Sequence, residues 1–412
     1  MRQEKSEVII IGAGPSGAVA AGLLRRAGRA VTILEKAVFP RFVIGESLLP
    51  QSMEYIEAAG MLQDVVEAGF QFKNGAAFAC GAKYAYFDFR EKFTPGWGTT
   101  WQVQRGPFDK VLADAAARMG TDIRYGHEVI AVDVAGERPV VVVRSGEGGN
   151  YRLTGEFLLD ASGYGRVLPR LLDLEAPSAL PVRQAIFTHI EDRIAQNTEA
   201  FFDREKILIS VPPDETDVWF WLIPFSNGRS SIGVVGRREQ FDARDDKAQL
   251  LDRVARTPNL VKLLKHAVWD TPVRNIVGYS ANVKTLYGRN FALLGNATEF
   301  LDPVFSSGVT IAFKSADLAV RALLKQFAGD PVDWGREYAA PLMVGVETFR
   351  AFVNAWYDGR LQDIIFFPDK TPEVQRMISA VLAGYAWDEK NPFVAGVNRR
   401  LASLEAACAL VA

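Results

Sequence analysis

Cysteine and histidine are scarce in this chain, with two of the first and three of the second among 412 residues. Cys80 and Cys408 supply neither a disulfide framework nor a zinc set, and such usage suits a reducing, cytoplasmic setting. His127, His189 and His266 are far apart and in no ligand spacing, which argues against a metal centre. Neither sign of charge is in surplus, 47 basic residues standing against 49 acidic, and no basic tract is present to attract a polyanion. Nucleic acid is therefore not an expected partner. No apolar run approaches the roughly 20 residues that cross a bilayer. The opening MRQEKSE runs straight into an apolar strand without the pattern of a signal peptide. The tail LASLEAACALVA is apolar but short, and reads as a packed terminal helix rather than a membrane anchor. Internal repeats and low-complexity stretches are lacking too.

What is present is an ordinary globular composition, 49% hydrophobic and 23% charged, in a chain long enough for two or three lobes. EVIIIGAGPSGAVAAGLLRRAGRAVTILEK reads as strand, glycine turn, helix and strand. Val8 to Ile11 is a buried β run, and Gly12, Gly14 and Gly17 form GxGxxG. Gly12 permits the turn, Gly14 lets a pyrophosphate approach the backbone, and Gly17 lets the helix pack on the sheet. The helix start offers unpaired N–H groups to phosphate. Glu35 closes the second strand, where a carboxylate takes adenosine ribose hydroxyls.

The stretch DVWFWLIPFSNGRSSIGVVG, Asp217 to Gly236, is a hairpin. Alternation sends Trp219, Trp221 and Ile223 to one face and Phe220 and Leu222 to the other. Asn227-Gly228 provides the turn. An apolar strand on both faces is covered on both sides, by protein core or by a ligand. Phe201, Phe202, Trp356, Tyr357, Phe366 and Phe367 are further aromatics that fit a pocket or, more simply, the core.

GxGxxG, then Arg105, Asp109 and Leu112 as RxxxDxxL at a helix start, then FALLGNA…DP…GV resemble the FAD-binding elements of the flavoprotein monooxygenase superfamily, p-hydroxybenzoate hydroxylase type, over most of residues 6–325. The resemblance implies an α/β fold: a doubly wound FAD lobe from 1–75, 102–180 and 282–328, a sheet-rich substrate lobe from 76–101 and 181–281, and a helical segment over 329–412. It implies bound FAD, held by Gly12, Gly14, Pro15, Ser16, Gly17, Glu35, Lys36, Arg41, Gly45, Glu46, Ser47, Arg105, Asn296, Asp302, Gly308 and Val309. One departure stands out: the family has Gly-Asp where this chain has Gly295-Asn296. Asn keeps a hydrogen-bonding carbonyl and amide but brings no charge to the ribityl chain.

Three features narrow the resemblance to flavin-dependent halogenases. Trp219 to Pro224 reads WxWxIP, FPRFVIGESLLP is similar to their PRFxxGESLLP segment, and Lys73 in GFQFKNGAAF stands where they carry an essential lysine. In that family halide attacks a flavin hydroperoxide and yields hypohalous acid. The resemblance gives Lys73 the task of holding the electrophilic halogen near an aromatic carbon, as a hydrogen-bonding ammonium or as a haloamine. Taken without that context, Lys73 reads as a solvated surface lysine. Trp219, Trp221 and Pro224 would wall the flavin from the organic substrate. Chloride or bromide falls to the Ser307–Gly308 backbone at a helix start, where Ser306 or Ser307 can also serve as the N-cap.

Indole-directed members carry a glutamate where this chain has Phe305, so Phe305 becomes a substrate-pocket residue and the expected ring is a phenol or pyrrole, free or on an acyl or peptidyl carrier protein. No segment reads as a nicotinamide site, and the resemblance implies a separate NADH-dependent flavin reductase. A single-component hydroxylase, a prenyl double-bond reductase and a non-catalytic flavin redox sensor share parts of the pattern. Lys73 and the intact WxWxIP favour the halogenase.

Overall fold

The computed structural model describes residues 2–196 and 202–409, so Phe201 lies outside the described residues. Val8–Ile11 is buried along its whole length and becomes the middle strand of a five-stranded parallel sheet, in the order Phe291–Leu293, Phe157–Asp160, Val8–Ile11, Val31–Glu35, Asp122–Tyr125. A continuous apolar run suits a strand covered on both faces. Val8 and Ile10 face the helices Pro15–Arg26 and Gly308–Phe327, which pack on each other. Ile9 and Ile11 face a four-stranded sheet whose Val141, Val143 and Leu153 complete a second core. One edge of that sheet is Arg2–Lys5, parallel to Tyr151–Thr154. Its polar sequence gave no strand signal, because its pairing comes from the partner's backbone.

A seven-stranded sheet stands beside this pair, in the order Arg274–Val277, Arg183–Glu191, Arg229–Arg237, Trp219–Pro224, Lys206–Val211, Gly75–Cys80, Lys83–Asp88. The alternation expected of WFWLIP is observed. Trp219, Trp221 and Ile223 belong to the large core shared with the five-stranded sheet and the C-terminal helices. Phe220 and Leu222 pack on the other face with Leu250, Val254, Leu260 and Leu263 of two short helices. The hairpin closes at Asn227-Gly228, with Gly228 at φ +76° and the Phe225 N–H bonded to the Arg229 carbonyl. A two-stranded ribbon, Gln71–Lys73 against Thr100–Gln102, lies between the large sheets in the chain.

After residue 329 the described chain is helical, its long elements being Ala340–Tyr357, Pro372–Leu382 and Val397–Ala409. The tail helix buries Leu401 and Cys408. Among the described residues no helix is long and apolar enough to cross a membrane.

Trp221 lies opposite Gly233 in the hairpin, and a Cβ on Gly233 would fall inside its indole. Gly233→Ala is therefore expected to displace the indole and cost about 1–3 kcal/mol by overpacking, read as a lowered midpoint in a denaturant melt. An unchanged midpoint would mean that the indole does not rest on Gly233.

Candidate active site

The glycine turn, the segment 45–47 and the WFWLIP strand converge on a cavity of about 860 Å³, within the range of small-molecule sites. Gly12, Gly14, Pro15 and Ser16 line one end, with Glu35, Lys36 and Arg41 beside them. Gly45, Glu46, Ser47 and Arg105 form a side. Trp219, Trp221 and Ile223 form the far wall, and Asn296, Ser306, Gly308 and Val309 close it. Gly17 is at the turn but not on the cavity. A Cβ there would overlap the Gly12 carbonyl oxygen, which is the close-packing role expected of it.

Two helix starts reach this cavity, at Gly14 and at Ser307. Neither carries a side-chain cap or an acidic residue in its first turn. Their free N–H groups suit a pyrophosphate at one end and an anion or polar ring edge at the other. Glu35 spends each carboxylate oxygen on a backbone N–H, Ala13 and Ala37, both at 2.9 Å. Each oxygen keeps a lone pair for a ribose hydroxyl. Glu46, 2% exposed, bonds His189 Nε2 through Oε1 at 2.8 Å, while its buried Oε2 has no partner. This donor set, the unpartnered acceptor and the cavity volume fit FAD.

The RxxxDxxL spacing has a clear purpose. Asp109, fully buried, holds the Arg105 guanidinium by two bonds of 2.8 and 3.1 Å. Arg105 in turn donates to the Ile44 carbonyl at 2.8 Å and fixes the loop that carries Gly45 to Ser47. Arg41 adds a second cation 3.5 Å from Asp109.

Lys73 is 1% exposed, which rules out the solvated surface lysine. Its Nζ donates to Ser47 Oγ and to the Leu48 carbonyl, both at 2.7 Å, and lies 5.4 Å from the centre of the Phe89 ring. Burial pulls its pKa down to about 7. Lys73 does not itself line the cavity; Ser47 lines it and touches the amine.

Several expected residues sit elsewhere. Asp302 is beneath the cavity wall, its oxygens taken by the Val304 N–H at 3.0 Å and the hydroxyls of Tyr357 and Tyr279 at 2.9 and 3.2 Å. It caps a short turn and does not line the cavity. Phe305 is packed edge-on against Phe352 and Trp356 in the core, not in the cavity, because that turn rolls it inward. Ser307 is buried behind Ser306 and Gly308, which do line the cavity. Pro224 ends its strand outside the cavity, and Ile223 takes the place on the wall. Phe202, Trp356, Tyr357, Phe366 and Phe367 are core.

Sequence reasoning passed over DASGYGRVLPR, which follows the strand Phe157–Asp160 and lines the cavity through Ala161 to Gly165, Val167 and Arg170. Its signal was available, a glycine-rich turn after a buried parallel strand. Tyr279 and His189 had no local signal, since each matters through a partner more than 20 residues away.

Residues 5–331 match the FAD binding domain family. The chain is 31% identical over 332 residues to tryptophan 2-halogenase of Chondromyces crocatus, covering 79% of this chain and 62% of that one. It is 26% identical over 415 residues to the 1H-pyrrole-2-carbonyl-[peptidyl-carrier protein] chlorinase of Pseudomonas fluorescens, covering 95% and 91%. A solved flavoprotein/dehydrogenase from Cytophaga hutchinsonii superimposes with a TM-score of 0.93 at 41% identity, covering 99% of each chain.

The pKa of Lys73 sets a stability test. Between pH 7 and 10.5 the unfolded chain holds a proton on this amine that the folded chain lacks, so stability rises with pH across that window. Burial of the charge costs most below pH 7 and nothing above 10.5. Lys73→Met is expected to melt higher relative to the parent at pH 6 than at pH 10, the difference shrinking by on the order of 3 kcal/mol. A pH-independent difference would mean that the amine titrates normally.

Proposed function

The chain belongs to the FAD-binding-domain family of flavoproteins and is a relative of its flavin-dependent halogenases, and from that premise we propose that it is an FADH2-dependent halogenase of an electron-rich aromatic ring. The observation that carries this reading is the amine of Lys73, buried, its pKa lowered to about 7 and hydrogen-bonded to Ser47, which lines the cofactor cavity. Bound FAD, in its reduced form, supplies the two-electron activation of O2 that turns chloride or bromide into hypohalous acid.

The chain's own residues do the rest. The uncapped helix start at Ser306–Gly308 holds the halide by backbone N–H groups. Trp219, Trp221 and Ile223 close the cavity to a ring, so the oxidant reaches halide rather than carbon. Ser47 shares its hydroxyl with Lys73 and marks the way out of the cavity. Near neutral pH about half of the Lys73 amine is unprotonated. An unprotonated amine takes the halogen from hypohalous acid to give N–X and water, and then delivers it to one aromatic carbon, whose proton is lost as the free amine is restored. The Leu48 carbonyl keeps the nitrogen in place through both steps.

The substrate is a phenol or pyrrole, free or on a carrier protein. Phe305, packed in the core, leaves its position without a carboxylate to stabilise the cation formed on an indole, and a relative covering 95% of the chain is named for a carrier-bound pyrrole. The reducing partner is a separate NADH-dependent flavin reductase, and the location is cytoplasmic, in keeping with the unpaired Cys80 and Cys408.

With reductase, FAD, NADH and bromide, brominated product is expected from phenolic or pyrrolic substrates, and little or none from free tryptophan. Halide-independent oxygenation, or NADPH oxidation by the protein alone, would move the reading to a hydroxylase. Lys73→Ala is expected to keep FAD binding and lose at least about a hundredfold in product, because the halogen is no longer positioned. Undiminished halogenation by this variant would remove Lys73 from the mechanism.

A further inference from the structure

The indole of Trp219 can only donate a hydrogen bond and an ionised carboxylate can only accept one. A chain of bonds strung between them therefore has a fixed direction. Trp219 Nε1 donates to Tyr357 Oη at 2.8 Å, and the Tyr357 hydroxyl donates to Asp302 Oδ2 at 2.9 Å. Trp219 lines the cofactor cavity; Tyr357 and Asp302 stand behind it. The guanidinium carbon of Arg183 lies 3.2 Å from the centre of the Tyr357 ring and is held there by Asp217 at 2.7 Å. The hydroxyl is thus gripped by the carboxylate and the ring by a cation. Burial raises the Tyr357 phenol well above its ordinary pKa, so it remains a donor throughout the working range.

The three residues come from separate parts of the chain. Trp219 opens its strand, Tyr357 ends the helix Ala340–Tyr357, and Asp302 caps the turn that leads into Ser306–Gly308. One hydroxyl therefore joins the cavity wall, the C-terminal helices and the loop ahead of the uncapped helix start.

We propose that Tyr357 is a positioning residue whose hydroxyl locks the Trp219 indole into the cavity wall, in register with the Asp302–Gly308 loop. Its catalytic consequence, retention of the oxidised halogen on the path to Lys73, rests on the halogenase reading. The lock itself does not. Without the hydroxyl the indole N–H loses its acceptor, while Asp302 keeps Tyr279 and Val304, so the wall loosens and the loop stays.

Tyr357→Phe is the test, since it keeps the ring and the Arg183 contact. Iodide quenching of the tryptophan fluorescence, compared with Trp219→Phe to isolate that indole, should show Trp219 several-fold more accessible. In single turnover of the protein loaded with FADH2, halogenated product per bound flavin should fall about fivefold, the equivalent of one lost hydrogen bond, with free hypohalous acid trapped in its place. Trp219→Phe should lose coupling similarly, and the double variant no further. A variant that only weakened folding would bind less FADH2 yet leave product per bound flavin unchanged, and that result would overturn the proposal. Unchanged accessibility of Trp219 would also overturn it. A parent protein that makes no halogenated product would overturn the functional reading alone, and the quenching comparison would still decide the lock.

Discussion

The two hydrogen bonds from Lys73 to Ser47 and to the Leu48 carbonyl hold an amine where water does not reach. An ammonium taken out of water is costly unless its protons find acceptors. Those acceptors must arrive in register, and a single three-residue strand provides it. Thr100–Gln102 pairs with Gln71–Lys73 on one side, setting Lys73 against Thr100. Through the Val103 N–H to the Glu46 carbonyl and the Leu48 N–H to the Trp101 carbonyl, the same stretch holds the segment that supplies Ser47. The amine and its acceptors are thus indexed to one strand. The Arg105–Asp109 pair clamps the loop just upstream, so a motif read as cofactor binding also supports the lysine.

Most negative groups around the site are already occupied, Glu46 Oε2 being the exception. Asp109 faces two guanidinium groups, Asp160 takes the Ser162 and Leu168 N–H groups, and Asp302 takes two phenols and a backbone N–H. What the cavity has left to offer is largely donors, from two helix starts. Such a cavity favours anions, both the pyrophosphate of a dinucleotide and a halide. Replacing the usual aspartate by Asn296 moves the balance the same way, since it removes a negative charge from the cavity lining.

What could be read from the sequence was whatever depends on neighbours in the chain. The strand Val8–Ile11, the turn at Gly12, the hairpin at Asn227-Gly228 and the two faces of WFWLIP all follow from local spacing. Gly14 and Glu35 reach the cavity as the GxGxxG pattern implied, and Arg105, Asn296 and Gly308 line it as the resemblance to FAD-binding flavoproteins implied. Asp302 and Phe305 lie off the cofactor cavity at the two ends of one turn, Asp302 capping it and Phe305 closing it, and spacing along a sequence does not report which way such a turn faces. The strand Arg2–Lys5 went unread because its backbone, not its side chains, makes the pairing. The burial of Lys73 is the sharpest case. Its neighbour Phe72 is exposed while the lysine is not, an inversion of hydropathy that only the cross-strand partners and the 46–48 segment explain.

That inversion has a counterpart in the two tryptophans. An aromatic core alone would be filled as well by phenylalanine, which needs no polar partner. Each indole instead carries an N–H that has been given an acceptor, Tyr357 Oη for Trp219 and Ser231 Oγ at 3.0 Å for Trp221. A hydrogen bond at one end of a flat ring fixes its rotation, which packing alone leaves free. The two rings stand 5.9 Å apart at 50°, each pinned from a different element. In the proposed reaction, a wall between a reactive centre and a ring-shaped substrate would need defined orientation rather than bulk, which the N–H groups would supply. The acceptor for Trp219 comes from the end of a C-terminal helix, so that helix is part of the site although none of its residues lines the cavity.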